Sequence, residues 1–111
     1  MVRAVGVTPR ILQNYVRLTP GVKKRLVLKD PVIEEIIITD PHTKRPKPLR
    51  RLRFTVTEED GVPTTKYFTT LSEKLAQFLM AIWDKRTTDT ICVNITEFGT
   101  SLAKDYEVVP C

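Results

Sequence analysis

One segment of this chain has helical periodicity, and strand-like segments lie on both sides of it. Thr70 to Asp84 reads T-L-S-E-K-L-A-Q-F-L-M-A-I-W-D. Its large apolar residues recur at the spacing of a buried helical stripe, and Thr70 followed by Glu73 matches a capping box. The predicted stripe comprises Leu71, Leu75, Phe78, Leu79, Ile82 and Trp83. A single helix between strands leaves few folds for a chain of 111 residues.

Three strands are predicted before the helix. Lys24–Asp40 is dominated by β-branched residues and is interrupted by Pro31, which indicates one long strand that bends. Leu49–Thr57 alternates apolar and polar residues, as a half-buried strand does. The turn sequence E-D-G-V-P at 59–63 then predicts a tight hairpin, with Thr64–Thr69 as the returning strand.

Two strands are predicted after the helix, at Asp89–Thr96 and Tyr106–Val109, joined by a loop over Glu97–Asp105. The element order is therefore β-β-β-α-β-β in an all-β protein with one helix. A long curved first strand, a tight second hairpin and a helix between strands three and four predict the OB-fold, a five-stranded Greek-key barrel. The competing architecture is a half-open sandwich with the helix on one face.

The chain is short enough for one domain, predicted over residues 20–111. Residues 1–19 form either an extended basic arm or a short helix capped by Thr8 with Pro9 in its first turn. The T-P-G sequence at 19–21 predicts a turn where this segment joins the domain.

Positive charge is concentrated in two parts of the chain. The net charge is +5, but residues 1–29 carry seven Lys or Arg and no acid, and residues 41–53 carry six and no acid. Such segregation is typical of proteins that bind a polyanion, although a basic solvated face without a partner has the same composition. No apolar run approaches the length of a membrane span, so no membrane partner is expected.

The expected location is intracellular, because the N-terminus lacks the apolar stretch of a signal peptide. Charged residues make up 28% of the chain while Asn and Gln number four together, a balance that leans toward a thermophile. One disulfide between Cys92 and Cys111 is possible but not indicated, and with His42 as the one histidine no metal site is expected.

An OB-fold holds its ligand across strands two and three, between the first and last hairpin loops. The basic stretch from Asp40 to Phe54 would lie there, and single-stranded nucleic acid is bound by such cations together with rings on which bases stack. Tyr67 is predicted to point outward and Phe68 inward, and Phe98 to stack from the last loop. The predicted surface consists of Lys44, Arg45, Lys47, Arg50, Arg51, Arg53, Lys66, Tyr67, Phe98 and Lys104.

The aromatic positions have alternative roles. Tyr67 suits ordinary cross-strand packing, and Phe98 could fold back to cap the barrel. Tyr15, beside Arg17, is a further stacking position on the arm.

The last third of the chain resembles the final hairpin of small OB-type single-stranded-DNA-binding proteins of mobile elements. The stretch C-V-N-I-T-E-F-G-T-S-L-A-K-D-Y-E-V-V-P carries this resemblance, and V-T-E-E-D-G and S-E-K-L-A-Q-F-L extend it over about residues 20–110. It implies binding of single-stranded nucleic acid. The resemblance extends to individual residues at Ile95, Thr96, Gly99, Tyr106 and Val108. These are mainly positions that build the fold rather than contact the nucleic acid. Asp105 departs from the basic residue or Thr usual there, which puts a phosphate contact at that position in doubt.

An enzyme is not expected. The four glycines are scattered singly, so there is no phosphate-binding loop, and the acidic cluster Glu58–Asp60 lies at a predicted hairpin tip rather than on rigid elements. No cofactor is predicted.

Three functions remain for such a domain. The first is sequence-tolerant binding of single-stranded DNA by a cytoplasmic, nucleoid-associated protein. The second is RNA binding or ribosome association on the same fold, with the basic arm as an extension into structured RNA. The third is a structural protein that self-associates through its β-edges, including the strand interrupted by Pro31.

Overall fold

The computed structural model describes residues 14–100 and 103–111. Within them the element order is β-β-β-α-β-β, as predicted. The strands and the helix are β1 (Lys24–Thr39), β2 (Pro46–Glu59), β3 (Val62–Thr70), α1 (Glu73–Asp84), β4 (Ile91–Thr100) and β5 (Ala103–Pro110).

The five strands form one antiparallel sheet in the order β3-β2-β1-β4-β5. β1 is the central strand and pairs with a neighbour on each side. Its Lys24–Leu28 part pairs with β4, while β2 pairs along almost the whole of β1. The predicted closure into a barrel is wrong, because β3 and β5 remain the two ends of the sheet.

The segment before β1 pairs with the edge of β3 that would pair with β5 in a closed barrel. The backbone N–H of Tyr67 in β3 donates to the Asn14 carbonyl, and the N–H of Val16 donates to the Tyr67 carbonyl, both at 2.8 Å. β3 therefore pairs with this arm rather than with β5. Tyr15 forms a bridge to Tyr67, and residues 16–19 have no regular secondary structure. The alternative of a helix starting at Thr8 lies mostly outside the described residues.

Two predicted irregularities of the strands are confirmed. β1 bends at Asp30–Pro31, where the pairing with β2 shifts register and Asp30 has a φ of +53°. The hairpin between β2 and β3 turns at Asp60 and Gly61, with φ values of +51° and +86°. Positive φ at both central residues is the type I′ geometry that matches the twist of the flanking strands.

The core lies between the curled sheet and one face of α1. Leu75 and Leu79 of the helix are buried, and Trp83 meets Phe54 edge to face at a centroid distance of 5.9 Å. Burial of such side chains contributes about 2 kcal/mol each. The sheet residues of the core are Leu26, Leu28, Leu52, Phe54, Val56, Phe68, Ile91, Val93 and Ile95.

The start of α1 differs from the prediction. The N-cap is Ser72, whose hydroxyl accepts a hydrogen bond from the Leu75 N–H at 3.1 Å. Thr70 belongs to β3 and instead accepts from the Ser72 N–H. Leu71 therefore precedes the helix and is exposed, and Phe78 lies on the flank of the stripe and is also exposed. Both were predicted to be buried.

The predicted loop over Glu97–Asp105 is also wrong, because β4 runs on to Thr100 and β5 begins at Ala103. Gly99 makes this tight hairpin possible. Its φ is +94°, and a Cβ at this position would overlap the Ala103 carbonyl oxygen.

A disulfide joins Cys92 in β4 to Cys111, which follows β5. The backbone N–H of Cys111 also donates to the Cys92 carbonyl at 2.9 Å. The bridge fastens the end of the chain to the adjacent strand.

Candidate nucleic-acid interface

The outer face of β2 and β3 carries the predicted arginines and tyrosine. Leu52 and Phe54 of β2 point into the core, so the alternating residues Arg51 and Arg53 point outward. On β3, Phe68 is buried and Tyr67 lies on the outer face, as predicted.

These side chains form a compact group with Tyr15 of the arm. The Arg53 guanidinium lies 4.9 Å from the centre of the Tyr67 ring, and that of Arg51 lies 5.9 Å from the Tyr15 ring. The two tyrosine rings are 6.0 Å apart and inclined by 45°. We call Tyr15, Arg51, Arg53 and Tyr67 the tyrosine–arginine cluster. The attraction between each arginine and the face of its tyrosine ring holds both side chains in place, so the cluster presents ordered rings and charges.

Glu34 of β1 binds both arginines of the cluster. Its carboxylate accepts a hydrogen bond from Arg51 Nε at 2.8 Å and lies 2.7 Å from Arg53 Nη1. Burial opposes the charge of Arg51, but the hydrogen bond and negative charge of Glu34 outweigh it, so the pKa of Arg51 is raised above its ordinary value. The cluster thus keeps both cations but carries a net charge of only about +1 with Glu34 ionised.

The hairpin between β1 and β2 carries a second group of cations. Its turn is closed by Asp40, whose carboxylate accepts the N–H groups of His42 and Thr43, and these bonds lower the pKa of Asp40. β2 begins earlier than predicted, at Pro46, so this charge lies partly on the strand. The four cations are exposed, and within the described ranges none of them is in an ion pair. We call them the cationic ribbon: Lys44, Arg45, Lys47 and Arg50.

The remaining predicted cations are neutralised locally. Lys66 contacts Glu59 at 2.6 Å, and Glu59 also binds Lys24 at 2.6 Å. Hydrogen bonds from these two lysines hold the pKa of Glu59 below its ordinary value. Lys104 lies 3.8 Å from Glu97. Neither Lys66 nor Lys104 is as free to meet a phosphate as the cationic ribbon is.

Curling of the sheet brings its two ends near each other across a groove of about 580 Å³. Arg51 of β2 and Lys104 of β5 both line this groove, together with Val16 and Leu18 of the arm. Phe98 is exposed on β4 and does not line this groove. The structure therefore places Lys104, but not Phe98, beside Arg51 of the cluster in the groove.

Comparison with protein-family models, curated proteins and solved structures gives no match. Among residues 14–100 and 103–111, no helix is long and apolar enough to cross a membrane. In the same residues no group of three His, Cys, Asp or Glu side chains could hold a metal ion.

Two participants were not assigned to the site from the sequence. Glu34 was overlooked because its role depends on lying opposite Arg51 in the β1–β2 register. Tyr15 was only an alternative stacking position, because nothing local indicates that the arm pairs with β3. Its position beside Arg17 was the signal available in the sequence.

Proposed function

We propose that this chain binds single-stranded DNA with little sequence preference, using the tyrosine–arginine cluster and the cationic ribbon as one surface. The observation that carries the proposal is the continuity of the two groups along β2. Lys47 of the ribbon lies on the same face of this strand as Arg51 and Arg53 of the cluster, and Lys44 and Arg45 come just before it in the turn. Arg50 points to the opposite face. Cations that follow a phosphate backbone, next to rings on which bases stack, are the usual components of a single-strand site.

We also propose that the sheet is an OB-fold opened between β3 and β5. The strand order β3-β2-β1-β4-β5 supports this, because joining its two ends would give a five-stranded barrel with the helix between strands three and four. In such barrels the face of strands two and three and the β1–β2 loop contact the nucleic acid. The cluster and the ribbon occupy those positions.

In this proposal the two groups have different tasks. The exposed cations of the ribbon meet phosphates and release counterions, which makes binding sensitive to salt. Tyr67 and Tyr15 stack on bases, at about 1–3 kcal/mol per base. Bases paired inside a duplex cannot reach these rings, so the surface selects single strands.

The test is binding of a fluorescent oligo-dT, measured by anisotropy at two salt concentrations, with duplex DNA and structured RNA as competitors. We expect salt-sensitive binding that duplex does not displace. The variant with Arg51, Arg53 and Tyr67 replaced by Ala should lose most affinity while circular dichroism shows an intact fold. Absence of binding at low salt would refute the function, unchanged affinity of the folded variant would refute the site, and displacement by RNA alone would make RNA the ligand.

Replacing Glu34 with Gln is expected to strengthen binding to oligo-dT by up to about 25-fold at about 0.1 M salt. Glu34 occupies Arg51 and Arg53, and a neutral amide would free both for phosphates. Each new phosphate contact is worth about fivefold at that salt concentration. The measurement is the same anisotropy titration, performed on both proteins.

The matched control for this change is Glu35→Gln. Glu35 is the next residue of β1, points to the opposite face, and forms no ion pair within the described part of the chain. It should give a much smaller gain. Equal gains from the two variants would mean that net charge, rather than release of the arginines, controls affinity.

A further inference from the structure

The distal part of the β1–β2 hairpin extends beyond the other strands. β4 pairs only with Lys24–Leu28 of β1, and β3 pairs with β2 only from Leu52 onward. Between Val32 and Thr39, β1 is therefore paired with β2 on one side, and no described strand pairs with it on the other. Unpaired strand edges of this length are templates for pairing with another chain.

The outer edge of β2 is protected in this region, because two prolines lie on it. Pro46 and Pro48 stand opposite Thr39 and Ile37. Proline has no N–H to donate, so at such positions the nitrogen faces away from the paired strand. An incoming strand would find two donors missing on this side.

The outer edge of β1 has no such protection. Asp40 donates its N–H to the Arg45 carbonyl, and the alternation of an antiparallel ladder then directs the N–H and C=O groups of Ile33, Glu35 and Ile37 outward. No proline or register shift interrupts β1 between Val32 and Thr39. Ile33 and Ile37 are 67% and 71% exposed, which is unusual for isoleucine.

We propose that this edge binds the same edge of a second copy, antiparallel, about a two-fold axis at Glu35. The outward-facing residues then meet one another, and about six backbone hydrogen bonds form. Ile33 lies opposite Ile37 of the other copy, and Val32 opposite Ile38, so these apolar residues of the edge cover each other. Ile36 lies opposite Glu34. This self-complementarity is what an isologous interface requires.

The side chains of the edge favour a second copy over nucleic acid. Ile33 and Ile37 are exposed apolar groups, and Glu35, which forms no ion pair among the described residues, repels a polyanion. Glu34 adds little to this repulsion, because Arg51 and Arg53 already neutralise it. At the axis the two Glu35 side chains face each other, but Arg50 lies opposite each Glu35 on its own β2. The row across the joined sheet is therefore Arg-Glu-Glu-Arg. A shift of two residues in either direction would instead place Glu35 against Ile33 or Ile37 and lose both Ile33–Ile37 pairs.

The dimer would also join the binding surfaces of two copies. In the proposed register, residue 38 of one copy lies opposite residue 32 of the other, and Val32 pairs with Arg53 of the cluster. Lys47, which stands opposite Ile38 on its own β2, therefore comes level with Arg53 of the neighbouring copy. The pairing itself does not rest on DNA binding and is tested without DNA.

The test is the molar mass in solution, by sedimentation and by light scattering over a range of concentrations, for the full chain and two variants of Ile37. Ile37→Pro removes an outward donor of β1 without removing a bond of the hairpin. Ile37→Val, the matched control, keeps this donor and an apolar side chain at the same position. We expect the unmodified chain and Ile37→Val to be dimers and Ile37→Pro to be a folded monomer. A chain that is monomeric at every concentration, or a dimer that survives in folded Ile37→Pro, would overturn the proposal.

A cysteine variant gives an independent measurement should Ile37→Pro fail to fold. In Glu35→Cys the two new thiols would meet at the axis in a hydrogen-bonded pair, where Cα atoms are about 5.5 Å apart, a distance that suits a disulfide. Mild oxidation should yield a covalent dimer on a non-reducing gel. Ile33→Cys, whose opposite residue is Ile37, should not. Equal cross-linking of both variants, or none of Glu35→Cys, would contradict the proposed register.

Discussion

Replacing the four cations of the cationic ribbon with Gln is expected to lower affinity for oligo-dT by about 125-fold at about 0.1 M salt. Each phosphate contact on a single strand releases about 0.7 of a counterion, so each is worth about fivefold at that concentration. Arg50 points to the face of β2 opposite the cluster, so three contacts multiply. The logarithmic salt slope should also become shallower by about 2. Anisotropy titrations over several salt concentrations measure both quantities.

The fold should tolerate these four substitutions. The side chains are exposed and, in residues 14–100 and 103–111, none of them forms an ion pair or a side-chain hydrogen bond. Thermal unfolding of the variant should therefore match that of the unmodified chain. A control with the same change in net charge replaces four lysines outside the proposed surface, namely Lys23, Lys29, Lys74 and Lys85. It should lose far less affinity, and equal losses would show that binding follows net charge rather than this surface.

The cationic ribbon could be predicted because its signals are local. A run of Lys and Arg broken by prolines, followed by alternating apolar residues, is visible within 15 residues of sequence. The same holds for the Asp60–Gly61 turn and for the buried Phe68, each of which depends on its immediate neighbours. These predictions needed only the period of two and the turn chemistry.

The neutralisation of the cluster could not be predicted in this way. Glu34 meets Arg51 and Arg53 across a β1–β2 register that shifts at the Lys29–Val32 bend. A shift of one residue reverses the face of every side chain beyond it. Whether Glu34 lay with the arginines or away from them therefore depended on the geometry of that bend.

The open end of the sheet was missed for a similar reason. Tyr15 reaches Tyr67 through backbone hydrogen bonds of the arm, and backbone pairing between distant segments leaves no trace in side-chain periodicity. The sequence predicts a loop that includes Phe98 and Gly99, but Gly99 supports a turn inside a continuous hairpin. The sequence predicts Thr70 as the helix cap, but the chain uses Ser72, a residue type that caps a helix equally well.

Only the strand register shows that the cysteines meet. Val93 pairs with Pro110, so Cys92 and Cys111 occupy adjacent positions on neighbouring strands. Intracellular proteins rarely keep such a bond unless they come from hyperthermophiles. An intracellular location and this disulfide therefore fit together only if the protein also comes from a thermophile, as its composition predicts.

Removing this disulfide is expected to lower the free energy of unfolding by about 3 kcal/mol, because it closes a loop with a sequence separation of 19 and restricts the unfolded chain accordingly. Denaturant unfolding with and without reductant measures the difference. Cys111→Ser should unfold at the lower stability under both conditions. Because the bridge lies by Ile82 and Lys85 of the helix end rather than by the cluster, oligo-dT binding should not change.

Identical unfolding curves with and without reductant would mean that the thiols are not bridged in solution. A loss of DNA binding on reduction would mean that the β4–β5 hairpin supports the binding surface more directly than the positions of Lys104 and Phe98 suggest.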